Sequence, residues 1–247
     1  MADTYVLVHG AWHAGWCWAG VIAELEVLGA RALAVDLPGH GASTFDRAKV
    51  TLPVYVDSVA KFIEDHNLHE VVLAGHSMGG LVIAGVMLKI PRRLKRVIYV
   101  TAMVPRDGER PIDSLPPIPD AEASFAAAAA RPDLSIPIES LEQQFRANFM
   151  QDASRDLQDF VIAALTPQPL RPLAEPVSIT DLESAGVPQS YLICDDDISP
   201  NGQRGNWNPT FVNRLKNPTT RTIKSGHEVM FTHPVECARA LHELAHA

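Results

Sequence analysis

The chain has 247 residues, 47% of them apolar and 20% charged, enough to bury a sizeable core and far from the composition of a disordered segment. Its net charge of −8 argues against a nucleic-acid partner, which would need a basic face, and the longest apolar stretch, Leu81 to Leu88, is too short to span a bilayer. The three cysteines, Cys17, Cys194 and Cys237, are widely spaced and odd in number, with no C-x-x-C, and read as reduced thiols; with no signal peptide ahead of Tyr5, a cytoplasmic protein is expected.

Short β-rich runs are predicted at Tyr5–Val8, Arg31–Val35, Val71–Ala74 and Val97–Val100, with helices at Gly20–Leu28, Leu52–Asn67 and Leu81–Lys89 between them. Apolar strands alternating with helices imply a mostly parallel sheet covered on both faces, with function at the carboxyl ends of the strands. Arg92, Arg93, Lys95 and Arg96, after Pro91, read as a solvated helix-to-strand corner. Near Pro105 the alternation stops. From there to Pro188 the chain is rich in proline and alanine, with Pro116, Pro117 and Pro119 crowded together and an alanine run from Ala126 to Ala130. Helices are predicted at Ile138–Phe149, where Leu141, Phe145 and Phe149 recur at helical spacing, and at Ala153–Leu165. This pattern implies an ordered, mainly helical cap at 105–188 inserted into a core made of 1–104 and 189–247, and insertions of this length usually form lids. Strands resume at Ser190–Cys194 and Thr220–Ile223, and Pro234 to Ala245 reads as a last helix.

The stretch Gly75-His76-Ser77-Met78-Gly79 follows the third strand and precedes the third helix, which is the context of a G-x-S-x-G nucleophile elbow. A serine in that turn projects its Oγ from the backbone, and the turn leaves no space for side chains at the flanking glycines. Serine needs a base, and the base needs an orienting acid, in the chain order Ser, acid, His. His227, in Ser225-Gly226-His227-Glu228 after the last strand, stands where that order requires the base. Asp195, Asp196 and Asp197 all follow the preceding strand, and spacing does not choose among them. The oxyanion donors expected are the backbone N–H groups of Met78, in the elbow, and Ala11, in the His9-Gly10-Ala11-Trp12 loop. Trp12, His76 and Trp207 are candidate substrate contacts, while Trp16 and Trp18 can equally well pack the first helix onto the sheet.

His242-Glu243-Leu244-Ala245-His246 matches the zinc-helix pattern H-E-x-x-H. No segment after it supplies a third ligand, so no metal is expected to act in catalysis.

Three strings, Val6-Leu7-Val8-His9-Gly10-Ala11-Trp12-His13, Gly75-His76-Ser77-Met78-Gly79-Gly80 and Leu165-Thr166-Pro167-Gln168-Pro169-Leu170-Arg171-Pro172-Leu173, resemble the α/β-hydrolase group that holds plant methylesterases, hydroxynitrile lyases and bacterial esterases. The likeness runs over nearly the whole chain. It implies an α/β-hydrolase fold with a helical cap and selects Asp197 as the acid. The lyases of that group carry lysine after the catalytic histidine and threonine in the oxyanion loop; this chain has Glu228 and Ala11 there. A negative Glu228 would repel cyanide, so the resemblance favours the esterase branch.

The resulting expectation is a cofactor-free serine hydrolase that cleaves small apolar or aromatic carboxylic esters, carbamates or activated amides through an acyl-enzyme, with xenobiotic esters among the candidates. The alternatives are a hydroxynitrile-lyase-type carbon–carbon lyase and a small-molecule binder on a hydrolase fold. The expected partner is a small ester, with neither nucleic acid nor membrane, and a homodimer is left open.

Overall fold

A computed structural model describes residues 2–116 and 121–247. Six parallel strands form the main sheet: β1 (Thr4–Val8), β2 (Arg31–Val35), β3 (Val71–His76), β4 (Leu94–Val100), β7 (Gln189–Cys194) and β8 (Thr219–Ile223), in the order β2-β1-β3-β4-β7-β8. A short antiparallel pair, β5 (Ser135–Ile136) with β6 (Gln168–Pro169), lies in the insertion between β4 and β7.

Strand alternation sorts the core into two layers. Val6, Val8, Val71 and Leu73 join the cluster holding Tyr55, Val59, Val82 and Val86. Tyr5, Leu7, Val72 and Ala74 join the opposite cluster with Val21, Leu25, Cys237 and Leu241. Every residue of β3 is buried, as a strand covered on both faces must be. Each large aliphatic side chain buried in these layers stabilises the fold by about 1.5–3 kcal/mol. Helices α2 (Leu52–Asp65) and α3 (Gly79–Lys89) cover one face, and α1 (Ala19–Val27) and the last helix, Pro234–Ala245, cover the other. The start of α2 is set by Thr51, whose hydroxyl accepts from the Val54 amide.

Chain direction reverses across the sheet between β1 and β3: β1 leads outward to β2, and β3 leads the other way to β4. Such a switch point opens a crevice at the carboxyl ends of the two strands. The loop after β1 and the elbow after β3 face each other there.

Two expectations from the sequence need correction. The stretch Ile138–Phe149 is not one regular helix. It breaks into a 3-10 turn at Ile138–Ser140, a helical turn at Glu142–Gln144 and a π-turn at Phe145–Phe149, in which the Met150 amide reaches back to the Phe145 carbonyl (3.1 Å). The apolar spacing is used by two clusters rather than one face: Phe145 packs with Met150 and Val161, and Leu141 with Ala128 and Ile136. The basic corner is also not fully solvated. Arg96 is buried and donates to Ser190 Oγ (2.8 Å) and to the Ala247 carbonyl, and Lys95 pairs with Asp3 (2.6 Å).

The second predicted cap helix is observed at Arg155–Ala164, capped by the Ser154 hydroxyl. The alanine run lies mostly in a helix at Ala121–Ala129, Pro116 ends the first described segment, and Pro117 and Pro119 fall outside the described residues. Among the described residues, no helix is long and apolar enough to cross a membrane.

Candidate active site

Ser77 sits in the turn from β3 into α3 with φ of 53°, a left-handed conformation that side chains adopt only under constraint. The constraint is visible in its neighbours. A Cβ on Gly75 would come within 2.7 Å of the Gly79 carbonyl, and one on Gly79 within 2.8 Å of the His9 carbonyl. The Ser77 amide donates to Val100 O (3.3 Å), and its carbonyl accepts from the Gly80 and Met103 amides (3.1 and 3.0 Å). Neither the Met78 nor the Ala11 amide has an acceptor among the described residues, so both N–H groups at this crevice are free to donate to a ligand.

His227 Nδ1 lies 2.7 Å from Asp197 Oδ2, and both side chains are buried. The same oxygen accepts from Thr101 Oγ1 (2.7 Å), and Asp197 Oδ1 accepts from the Ser199 amide (2.9 Å). With its Nδ1–H donating a hydrogen bond to the carboxylate, neutral His227 keeps a lone pair on Nε2, a buried atom with no hydrogen-bond partner. Burial by itself would lower the His227 pKa. The Asp197 charge and hydrogen bond outweigh it and leave the pKa raised above its ordinary value. Asp195 is exposed, and Asp196 pairs with Arg204, so of the three aspartates only Asp197 reaches the imidazole.

Thr101 is a site residue that the sequence analysis missed. It follows directly on β4, and only the pairing of β4 with β7 brings it to Asp197. A threonine just past an apolar strand carries no signal in one dimension.

His76 is misplaced by the sequence reading. It does not line the cavity; it is enclosed behind His227, with Nε2 donating to the His227 carbonyl (3.0 Å). Burial, then the neighbouring imidazoles, holds its pKa well below the usual histidine value, so it is a neutral brace. Trp207 does line the cavity, with its ring 4.6 Å from that of His227 and its indole N–H donating to Ser199 Oγ (2.8 Å). Trp12 lines the cavity too, and its indole N–H donates to the Ile136 carbonyl in the insertion (2.9 Å). Trp18 is buried with α1 against the sheet, and Trp16 packs on Phe231.

The loop after β1 is held by its own histidines. His9 Nδ1 donates to the Gly10 carbonyl (2.8 Å) while its Nε2 accepts from the Leu37 amide (3.1 Å). The Gly10 carbonyl shares a peptide unit with the Ala11 N–H, so His9 fixes the direction of that donor. His13 Nδ1 donates to the Ala11 carbonyl (2.8 Å). Its Nε2 faces Glu228 Oε2 at 3.4 Å.

Glu228 therefore points at His13 and not into the cavity, and burial pushes its pKa up to about 8. Burial thereby favours the protonated carboxyl. The expectation of a negative Glu228 repelling an anion in the cavity fails, because the fold turns this side chain towards His13 and burial disfavours its charge.

The described cavity wall carries no charged side chain. Ile112, Leu115, Phe125, Phe149 and Leu173 face Ser77, with Ser124 and Gln144 among the few polar groups. Among the described residues, two clusters bring potential metal-ligand atoms within 4.8 Å of one another. One, His76–His227–Glu228, is the network just described. The other joins His242 and His246 to Asp3, a third group from the opposite end of the chain that the sequence analysis did not foresee. Asp3 already pairs there with Lys95 and with His246 (2.6 and 2.9 Å).

Residues 5–240 match the model of the alpha/beta hydrolase family, and the chain belongs to that family. It is 31% identical to a carbendazim hydrolyzing esterase of Nocardioides sp., over 96% of this chain and 97% of that one. It is 27% identical to Methylesterase 7 of Arabidopsis thaliana, over 98% and 95% of the two chains. Among solved structures it is similar to an extracellular alpha/beta-hydrolase from a Paenibacillus species, described as sharing structural and functional homology with tobacco salicylic acid binding protein 2. That match has a TM-score of 0.89 at 28% identity and covers 98% of each chain.

Proposed function

We propose that this protein is a serine hydrolase of small, uncharged, apolar or aromatic carboxylic esters, with carbamates and activated amides within its range. The observation that carries the reading is the contrast at the cavity: a strained Ser77 on its wall and a histidine–aspartate pair packed behind Trp207 and Phe149 of the same wall, which carries no charge among the described residues. The names of the relatives, a carbendazim hydrolyzing esterase and a methylesterase, support ester-type bonds and a xenobiotic among the substrates.

In this reading His227 Nε2 takes the Ser77 hydroxyl proton as Oγ bonds to the carbonyl carbon. The carbonyl oxygen becomes an oxyanion held by the Ala11 and Met78 N–H groups. His227 passes the proton to the departing alkoxide or phenoxide as its bond to carbon breaks. Water then adds to the acyl carbon, giving a proton to His227, and Ser77 leaves with that proton. Asp197 stabilises the imidazolium in both halves. Residues 105–188 act as a cap that shapes the cavity and excludes water. Substrate binding is expected to bring Ser77 Oγ and His227 Nε2 into hydrogen-bond contact.

The lyase alternative loses support, since Glu228 is turned from the cavity and no cation lines its described wall to hold cyanide. The three cysteines are free and buried, in keeping with a cytoplasmic location, although the similar Paenibacillus protein is extracellular. A panel of nitrophenyl esters, carbamates and anilides, with mandelonitrile as the lyase substrate, tests the assignment. Ester turnover that vanishes in Ser77→Ala supports it, and cyanide release without ester turnover sinks it.

A further inference from the structure

Four buried polar atoms around the base have no hydrogen-bond partner: His13 Nε2, His76 Nδ1, His227 Nε2 and Glu228 Oε2. Acyl transfer uses His227 Nε2. It does not use the His13–Glu228 pair, which is wholly enclosed, with each side chain about 1% exposed. Enclosing a carboxyl and an imidazole this way is costly unless they satisfy each other.

Geometry fixes where the protons are. The Ala11 carbonyl can only accept, so His13 Nδ1 carries a hydrogen, and neutral His13 presents a bare lone pair at Nε2. At 3.4 Å the two atoms face each other without a hydrogen bond, and a carboxyl hydrogen on Glu228 Oε2 would satisfy both orphaned atoms if the loops closed by a few tenths of an ångström. A carboxylate there would set two lone pairs against each other.

The pair also joins two loops that must keep register. Glu228 adjoins the base, and His13 holds the Ala11–Trp12 peptide next to the one whose N–H is the oxyanion donor. We propose that Glu228, acting through His13, is a positioning residue that holds the oxyanion loop in register with His227. This rests on the acyl-transfer reading above.

The groups facing Glu228 agree on its protonation state. His13 is neutral, because burial lowers its pKa to about 3. Asp197 and Asp152 lie near enough to oppose a second negative charge, and Cys17, whose pKa is well above the ordinary value, stays a thiol. Only His227 favours the carboxylate. The proton is lost as pH rises through about 8, which removes the donor and sets a carboxylate against the His13 Nε2 lone pair.

The test compares wild type, Glu228→Gln and Glu228→Leu on one nitrophenyl ester from pH 6 to 10, with kcat and KM resolved and folding checked by circular dichroism. Gln supplies an N–H in place of the carboxyl O–H. It should keep kcat within about threefold at pH 7 and lose the alkaline decline that wild type shows, while Leu should lower kcat by about 10- to 100-fold with little change in KM. The inference is overturned if folded Glu228→Leu keeps its kcat, or if Glu228→Gln declines at alkaline pH just as wild type does. Wild type without any ester turnover overturns the acyl-transfer reading and this inference with it; turnover with unaltered variants overturns this inference alone.

Discussion

On the sheet side of Ser77 stand imidazoles and carboxyls: His9, His13, His76, His227, Asp197 and Glu228, all buried. On the insertion side stand Ile112, Leu115, Phe125, Leu141 and Phe149, with no charge among the described residues. The first wall is tied by directed hydrogen bonds from strand ends and their loops, each fixing one atom, whereas the second is held by packing that specifies shape but no particular atom. The difference separates chemistry from selection. A site of this kind can change substrate by repacking one wall without disturbing the proton transfers on the other.

The largest expected effect lies on the polar wall. Ser77→Ala should lower kcat by about 10⁴-fold or more while the thermal midpoint stays near wild type. Asp197→Asn, which leaves the shape and misorients the imidazole, should cost about 10³- to 10⁴-fold in kcat. Thr101→Val removes one donor from the Asp197 oxygen that also bonds His227, and a loss of about tenfold is expected in the same assay. An unchanged kcat in that variant would show that the Ser199 amide and His227 hold the carboxylate on their own.

Smaller effects sharpen the other side. Phe125→Ala should raise KM for an aromatic ester by about tenfold and leave kcat for a short acetyl ester within about twofold. If both parameters fell together for every ester, the insertion would be part of the chemistry and the two walls would not be separable.

The pH profile gives the subtlest reading. In the proposed mechanism His227 works as a neutral base, and its pKa is raised, so the acid limb of kcat/KM should lie above the ordinary histidine value of ~6.5. The protonated, inactive form is favoured at higher pH than in a free histidine. A limb below that value would mean that burial outweighs the Asp197 carboxylate.

The legible part of the site is local in sequence. The elbow is five consecutive residues, and His227 lies on the loop where chain order requires a base, so one dimension holds enough. Asp197 needed a family resemblance to separate it from Asp195 and Asp196, because three adjacent carboxylates differ only in where the turn after β7 points them. Thr101 and the His13–Glu228 pair were not legible, since each contact joins residues remote in sequence, the first through the pairing of β4 with β7 and the second through loops that follow β1 and β8, which do not pair with each other. The segment Ile138–Phe149 shows the reverse failure: its apolar spacing suggested a helix, but packing on two clusters imposed a π-turn.

By itself, then, the sequence determined the alternating strands and helices, the elbow at Ser77 and the position of His227, because periodicity and short motifs are properties of neighbouring residues. Only the tertiary structure decided that His76 sits behind His227 instead of on the cavity wall, that Asp3 joins the terminal histidines, and that Glu228 is buried facing His13. Those outcomes depend on burial and on which distant groups share the dry space, and both are set when the sheet and its loops close around one crevice.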